Sequence, residues 1–132
     1  MSKANAVEKV VRACYEAYSR RDRAAIEAVI AEDFCFTSPL DNQIDRKTYF
    51  EICWPNSEAI IVMTLQQVVV FGDRAFVTYE ALTREGKRFR NTELLSVKDG
   101  KISAVEVYFG WNIPHDVPAG AHKAASEPGA IS

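Results

Sequence analysis

Two glutamates, Glu80 and Glu93, lie in the β-rich runs RAFVTYEALT and RFRNTELLSV, on either side of Glu85-Gly86. A two-residue turn at that dipeptide pairs Arg84 with Lys87, Glu80 with Asn91 and Thr78 with Glu93. Side chains alternate along a strand, so Phe76, Thr78, Glu80 and Leu82 then share a face with Phe89, Asn91, Glu93 and Leu95. Glu80 and Glu93 become diagonal neighbours, roughly 7–8 Å apart at the backbone and within reach of one ligand. Two carboxylates that close in a half-buried pocket raise each other's proton affinity, so one can act as an acid while the other stays ionised. The alternative is that both pair with Arg84, Arg88 or Arg90 on a solvated face. Val77, Tyr79, Ala81, Arg88, Arg90 and Thr92 take the opposite side.

A second polar group sits in DFCFTSPLDNQID, Asp33 to Asp45. The stretch begins as an alternating apolar strand, breaks at Ser38-Pro39, and continues as a loop carrying Asp41, Asn42 and Asp45. Such a loop is either a plain connection or the rim of a site. Asp45 can cap the helix that follows, and Asp41 is a candidate for contact with a ligand. Tyr49 and Trp54 on that helix are core or pocket wall, since their polar tips need partners when buried. His115, in IPHDVP, is a titrating group over a pocket or a solvated tail residue.

The elements that position these residues follow from periodicity. Val7, Val10, Val11, Cys14, Tyr15 and Tyr18 form one apolar stripe of a first helix, with Asn5 and Glu8 at its start. Asp22 can cap a second helix whose inner face is Ala25, Ile26, Val29 and Ile30. FCFT reads as a short strand and RKTYFEICW as a third helix, stopped by Pro55. From Ala59 onward the runs AIIVMTLQQVVVF, RAFVTYEALT, RFRNTELLSV and KISAVEVYF are separated by Gly72-Asp73, Glu85-Gly86 and Asp99-Gly100, which are hairpin signals. Helices followed by a four-stranded antiparallel meander give an α+β domain.

The chain has 132 residues, 48% apolar and 26% charged, with a net charge of −2. That is one domain's worth of ordinary globular sequence. The near-neutral charge and the lack of a Lys/Arg block argue against a nucleic-acid surface. No apolar run reaches the roughly 20 residues of a membrane helix, and MSKANAVEKV has no signal-peptide core. Cys14, Cys35 and Cys53 are odd in number and lack CxxC spacing, so they read as reduced or buried thiols of a cytoplasmic protein. His115 and His122 form no cluster with them, and no metal site is expected.

Two stretches, SRRDRAAIEAVIAEDFCFTSP and VKDGKISAVEVYFGWNI, set in this order of elements, resemble the nuclear transport factor 2-like superfamily. The nearer likeness is to its SnoaL-like and ketosteroid-isomerase-like branch, over Val7 to about Ile113. The resemblance implies a cone-shaped α+β roll in which helices close a pocket lined by a curved sheet. Members include isomerases, cyclases, dehydratases, epoxide hydrolases and plain binding modules, so fold alone does not settle activity. Ketosteroid isomerases carry their base just before the proline that ends the first strand, where this chain has Ser38. Their oxyanion-hole tyrosine falls at Cys14, with Tyr15 and Tyr18 close by on the same helix, and their protonated acid at Glu93. The aspartate that SnoaL-type cyclases place on the last strand falls at Val107. One acid position is kept and two are lost, so neither reaction is expected by its known route. The family pairing also favours a three-residue Lys98-Asp99-Gly100 turn over a two-residue Asp99-Gly100 turn. That choice puts Val105, Val107 and Phe109 on the Glu93 face and Glu106 and Tyr108 on the outside.

The reading is therefore a single domain over residues 1–113 with an irregular tail over 114–132. The function expected is acid–base chemistry on a hydrophobic small molecule, with no metal or organic cofactor. Glu93 and Glu80 would share the base and donor roles, and Ser38, Asp41, Asn91, Thr78, Tyr18, Tyr49 and Trp54 would line the site, with Tyr15 a further candidate. The rival is a non-catalytic ligand-binding or dimerisation module. A homodimer is expected through the outer sheet face, with Tyr79, Arg90, Glu106 and Tyr108 near the contact.

Overall fold

The computed structural model describes residues 2–120 and 122. Helix α1 (Lys3–Ser19) starts earlier than the Asn5 cap predicted, because the Ser2 hydroxyl accepts the Asn5 N–H at 3.1 Å. Val7, Val11 and Tyr15, each four residues on from the last, form its buried stripe. Asp22 caps α2 (Arg23–Val29) as expected, accepting from the Ala25 N–H at 3.1 Å, and Ile26 is its buried anchor. Asp45 likewise caps α3 (Arg46–Ile52), accepting from Thr48 N–H at 2.9 Å. After α3 the chain tightens into a 3₁₀ segment, Trp54–Ala59, with Pro55 in its first turn, where the missing N–H is not needed.

Six strands form one curved sheet in the order β2-β1-β6-β5-β4-β3. They are β1 (Ile30–Ser38), β2 (Asp41–Asp45), β3 (Ile60–Phe71), β4 (Arg74–Thr83), β5 (Arg88–Lys98) and β6 (Lys101–Ile113). The four long runs form the predicted antiparallel meander. The sheet is wider than the meander, however, and mixed, because β1 adds to β6 in parallel, with Phe36 beside Val105. The polar stretch from Asp41 to Asp45 is a strand and not a loop. It folds back on β1, with Ser38 opposite Asp41 and Phe36 opposite Ile44. Thr37 Oγ1 accepts the Gln43 N–H at 3.1 Å, which holds Gln43 at φ 51° beside the bulge. Pairing thus overrides the weak strand preference of Asp, Asn and Gln.

The β4–β5 register differs by one residue from the predicted one. Gly86 (φ 84°) closes a three-residue turn in which the Lys87 carbonyl accepts the Thr83 N–H, so Tyr79 pairs with Asn91, Val77 with Glu93, and Glu80 with Arg90. A shift of one residue turns a whole strand over. Val77, Tyr79 and Ala81 therefore face the helices, with Glu93, while Thr78 and Glu80 face outward. The β5–β6 turn is the two-residue Asp99-Gly100, both at positive φ, but a bulge between Ser96 and Val97 resets the pairing. Glu93 then lies opposite Val107, so Val105 and Val107 are inside and Glu106 and Tyr108 outside, the facing expected from the longer turn.

The helices cover the inner face, where Val11, Ile26, Ile30, Val77, Leu95 and Ile102 are fully buried. Residues 114–120 carry no helix or strand; residues 121 and 123–132, part of the tail expected to be irregular, lie outside the described residues. Among the described residues no helix is long and apolar enough to cross a membrane.

Candidate functional site

Between α1, α3 and the inner sheet face lies a cavity of about 240 Å³. Most of its wall is apolar or aromatic, including Phe34, Phe36, Tyr49, Met63, Phe89 and Val107. Among the described residues, Glu93 and Asp41 are its only acidic lining residues, and no Lys, Arg or His lines it. Leu40 and Phe109 line the cavity while 80% and 54% exposed, which places its mouth between the β1–β2 turn and β6.

Glu93 is half-buried because its side chain opens on the cavity while protein surrounds it elsewhere. The Tyr15 hydroxyl donates to its Oε1 at 2.5 Å. Tyr79, whose ring stands 5.6 Å from that of Tyr15, lines the same cavity beside Glu93 and also favours its charged form. Burial pushes the Glu93 carboxyl above its ordinary value, and the two phenols offset only part of that rise. Among the described lining residues there is no cation to favour the charged form. Burial first, and the Glu93 charge second, push the Tyr15 and Tyr79 phenols well up, so both stay proton donors. The same causes raise the Cys14 thiol to about 12. Cys53, raised to about 11 by burial and then by Asp41, is also held as a thiol. Neither is set up as a nucleophile.

Asp41 stands at the rim. It accepts from the Ser38 hydroxyl at 3.3 Å, and the Ser38 oxygen in turn accepts the Leu40 N–H at 3.1 Å. Asn91 lines the cavity beside Tyr79, and Tyr18 and Tyr49 complete the aromatic wall.

Glu93, Ser38, Asp41, Asn91, Tyr18 and Tyr49 thus converge on one cavity, with Tyr15 among them. Three predicted members do not join them. Glu80 lies on the outer face, where Gln66 donates to it at 3.4 Å, so the Glu80–Glu93 pair does not exist. Thr78 is outside too, sharing a hydrogen bond of 2.7 Å with Thr92. Trp54 stands behind the wall, edge-on to Tyr18 at 5.6 Å. His115 packs at a tilt against Trp111, ring centroids 4.8 Å apart, and does not line the cavity. Tyr79, expected near the outer contact, is the site residue the sequence reading missed. Gly86 held the signal, since a glycine closing a three-residue turn turns Tyr79 inward.

A model of the SnoaL-like domain family matches residues 11–105, most of the chain. The chain belongs to the SnoaL-like domain family. Solved structures place this SnoaL-like domain in the nuclear transport factor 2-like fold, as the sequence resemblance implied. One is a nuclear transport factor 2-like protein of unknown function from Burkholderia xenovorans, with TM-score 0.74, 13% identity, and 90% of this chain and 92% of that one covered. A candidate ketosteroid isomerase from Kribbella flavida has TM-score 0.73 and 17% identity over 92% of this chain and 90% of that one. An LEH-like epoxide hydrolase from M. tuberculosis has TM-score 0.69 and 16% identity over 83% and 86%. At such identities the likeness concerns the fold. No curated protein matches the sequence.

Proposed function

We propose that this SnoaL-like domain is an acid–base enzyme acting on an apolar small molecule that bears a carbonyl oxygen. The observation that carries the reading is the Tyr15–Glu93 hydrogen bond of 2.5 Å in a cavity wall without a cation. A carboxyl raised by burial holds a proton to higher pH than an ordinary one and can donate to an oxygen on which charge develops. Asp41 is the second carboxylate of the same cavity and takes the role first assigned to Glu80. In the reaction it removes a proton from the carbon next to the carbonyl. The C–H electron pair moves to the oxygen, held by Glu93 and Tyr15, and return of the proton to another carbon of the conjugated system gives an isomer. Neighbours named for isomerase and epoxide hydrolase activities support an enzyme of this general kind.

Apolar cyclic ketones in D₂O test this directly. Deuterium should appear at the carbon beside the carbonyl with the native protein and far more slowly with Glu93→Gln. Ketones that bind and keep their protons would make the domain a binding module instead.

Assembly belongs to the same proposal. The outer sheet face exposes Phe76 at 41%, Val69 at 55% and Tyr108 at 53%, an apolar strip suited to a second copy. Arg90, Glu106 and Tyr108 are on or beside this strip; Tyr79, facing the cavity, is not. Sedimentation equilibrium should give a dimer at micromolar concentration and a monomer for Phe76→Glu. A monomeric native protein would exclude this contact.

A further inference from the structure

A bulge links the outer end of the sheet to the cavity. Phe89 pairs with Asn112 but Asn91 pairs with Phe109, so Gly110 and Trp111 both fall opposite Arg90. A Cβ at Gly110 would lie 2.2 Å from the Arg90 carbonyl oxygen, a distance no side chain tolerates. This close approach aims the Gly110 N–H at the Asn91 side chain, 3.1 Å away.

The direction of each hydrogen bond then follows from chemistry. A backbone N–H only donates, so the Asn91 atom facing Gly110 is Oδ1. The other end of the amide is therefore Nδ2, which lies 3.1 Å from the Tyr79 hydroxyl oxygen. An amide NH₂ also only donates, so the Tyr79 oxygen is the acceptor there. The single hydroxyl proton of Tyr79 is left for its other neighbour, Glu93.

We infer that Asn91 is a positioning residue, locked by the Gly110 bulge, that directs the Tyr79 hydroxyl proton onto Glu93 or onto a ligand oxygen that replaces it. The inference rests on the reading of Glu93 as the reactive acid and deepens it. Tyr15 donates to the carboxylate, and the Tyr79 proton, left free by Asn91, is directed at the same group. When Glu93 carries a proton, its O–H becomes a donor and its oxygens accept more weakly than the carboxylate, so a ligand oxygen can compete for the phenol protons. Asn91 itself acts through Tyr79, contributing the amide bond that makes this phenol the stronger donor.

The test needs no substrate, so its outcome is separate from that of the enzyme reading. Glu93 is titrated by ¹³C NMR of protein labelled at glutamate Cδ, its signal assigned by loss in Glu93→Gln. Asn91→Ala should raise the Glu93 midpoint, because Tyr79 no longer holds its proton there. In a Tyr79→Phe background the same substitution should leave the midpoint unmoved. No shift in the native background, or an equal shift in both, would overturn the inference. A second measurement needs no change at position 91. Hydrogen exchange of the Asn91 side-chain NH₂ should be slow in the native protein and faster in Tyr79→Phe; equal rates in the two would overturn it as well.

Discussion

Glu93→Gln should lower turnover of an accepted substrate by about 10²–10⁴-fold, the usual contribution of one general acid or base. Glutamine matches the shape of glutamate and still accepts the Tyr15 hydroxyl, but it cannot exchange a proton. The same substitution should change stability in the opposite sense. At low pH the carboxyl is protonated in the folded and unfolded chain alike. Between the ordinary carboxyl value and the raised folded value, the folded chain keeps a proton that the unfolded chain has lost. Stability therefore falls as pH rises through that window and stays lower above it. The glutamine variant has no such loss, so its stability relative to the native protein should climb across the window. Urea midpoints at a series of pH values would read this. Parallel pH curves for the two proteins would show that Glu93 carries no stored desolvation.

Asp41→Asn should have an activity loss of similar size, again about 10²–10⁴-fold, falling mainly on kcat. Asparagine keeps an acceptor for the Ser38 hydroxyl, so the β1–β2 turn is retained while the base is removed. Ser38→Ala should do less. It removes one hydrogen bond to Asp41 and the Leu40 contact, worth about 1 kcal/mol, or roughly fivefold in rate if fully expressed there. Steady-state kinetics of the two variants separates proton removal from loop support. Near-full activity in Asp41→Asn would move the base elsewhere.

The fold was legible because its signals are local and repeated. The stripe from Val7 to Tyr18 and the caps at Asp22 and Asp45 belong to short stretches, and the hairpin dipeptides mark where the meander reverses. What could not be read locally was pairing. The parallel contact of β1 with β6 joins segments about seventy residues apart, and β2 is a strand only because β1 is beside it. In the site, Glu93 was placed by strand alternation together with the family resemblance, and the tyrosines of α1 by that resemblance. Its partner was misassigned because the side of the sheet each β4 residue faces depends on one residue in the Glu85-Gly86 turn. Counting that turn as two residues put Glu80 inside and Tyr79 outside; the third residue exchanges them. Between Asp99 and Gly100 the turn is tight, yet the bulge at Ser96–Val97 cancels its effect on register, a compensation invisible in the dipeptide. Asp41 was visible as a ligand candidate, but its standing as the second carboxylate required knowing that Glu80 had left the cavity.

The proposed chemistry requires Glu93 to be a desolvated carboxyl whose proton affinity is raised inside an apolar cavity. The ¹³C titration of Glu93 in the native, ligand-free protein measures it most directly. The structure predicts a midpoint above that of the exposed glutamates in the same spectrum, rising further in Tyr15→Phe, where the hydrogen bond that favours the carboxylate is gone. A midpoint at or below those of the exposed glutamates would contradict the account.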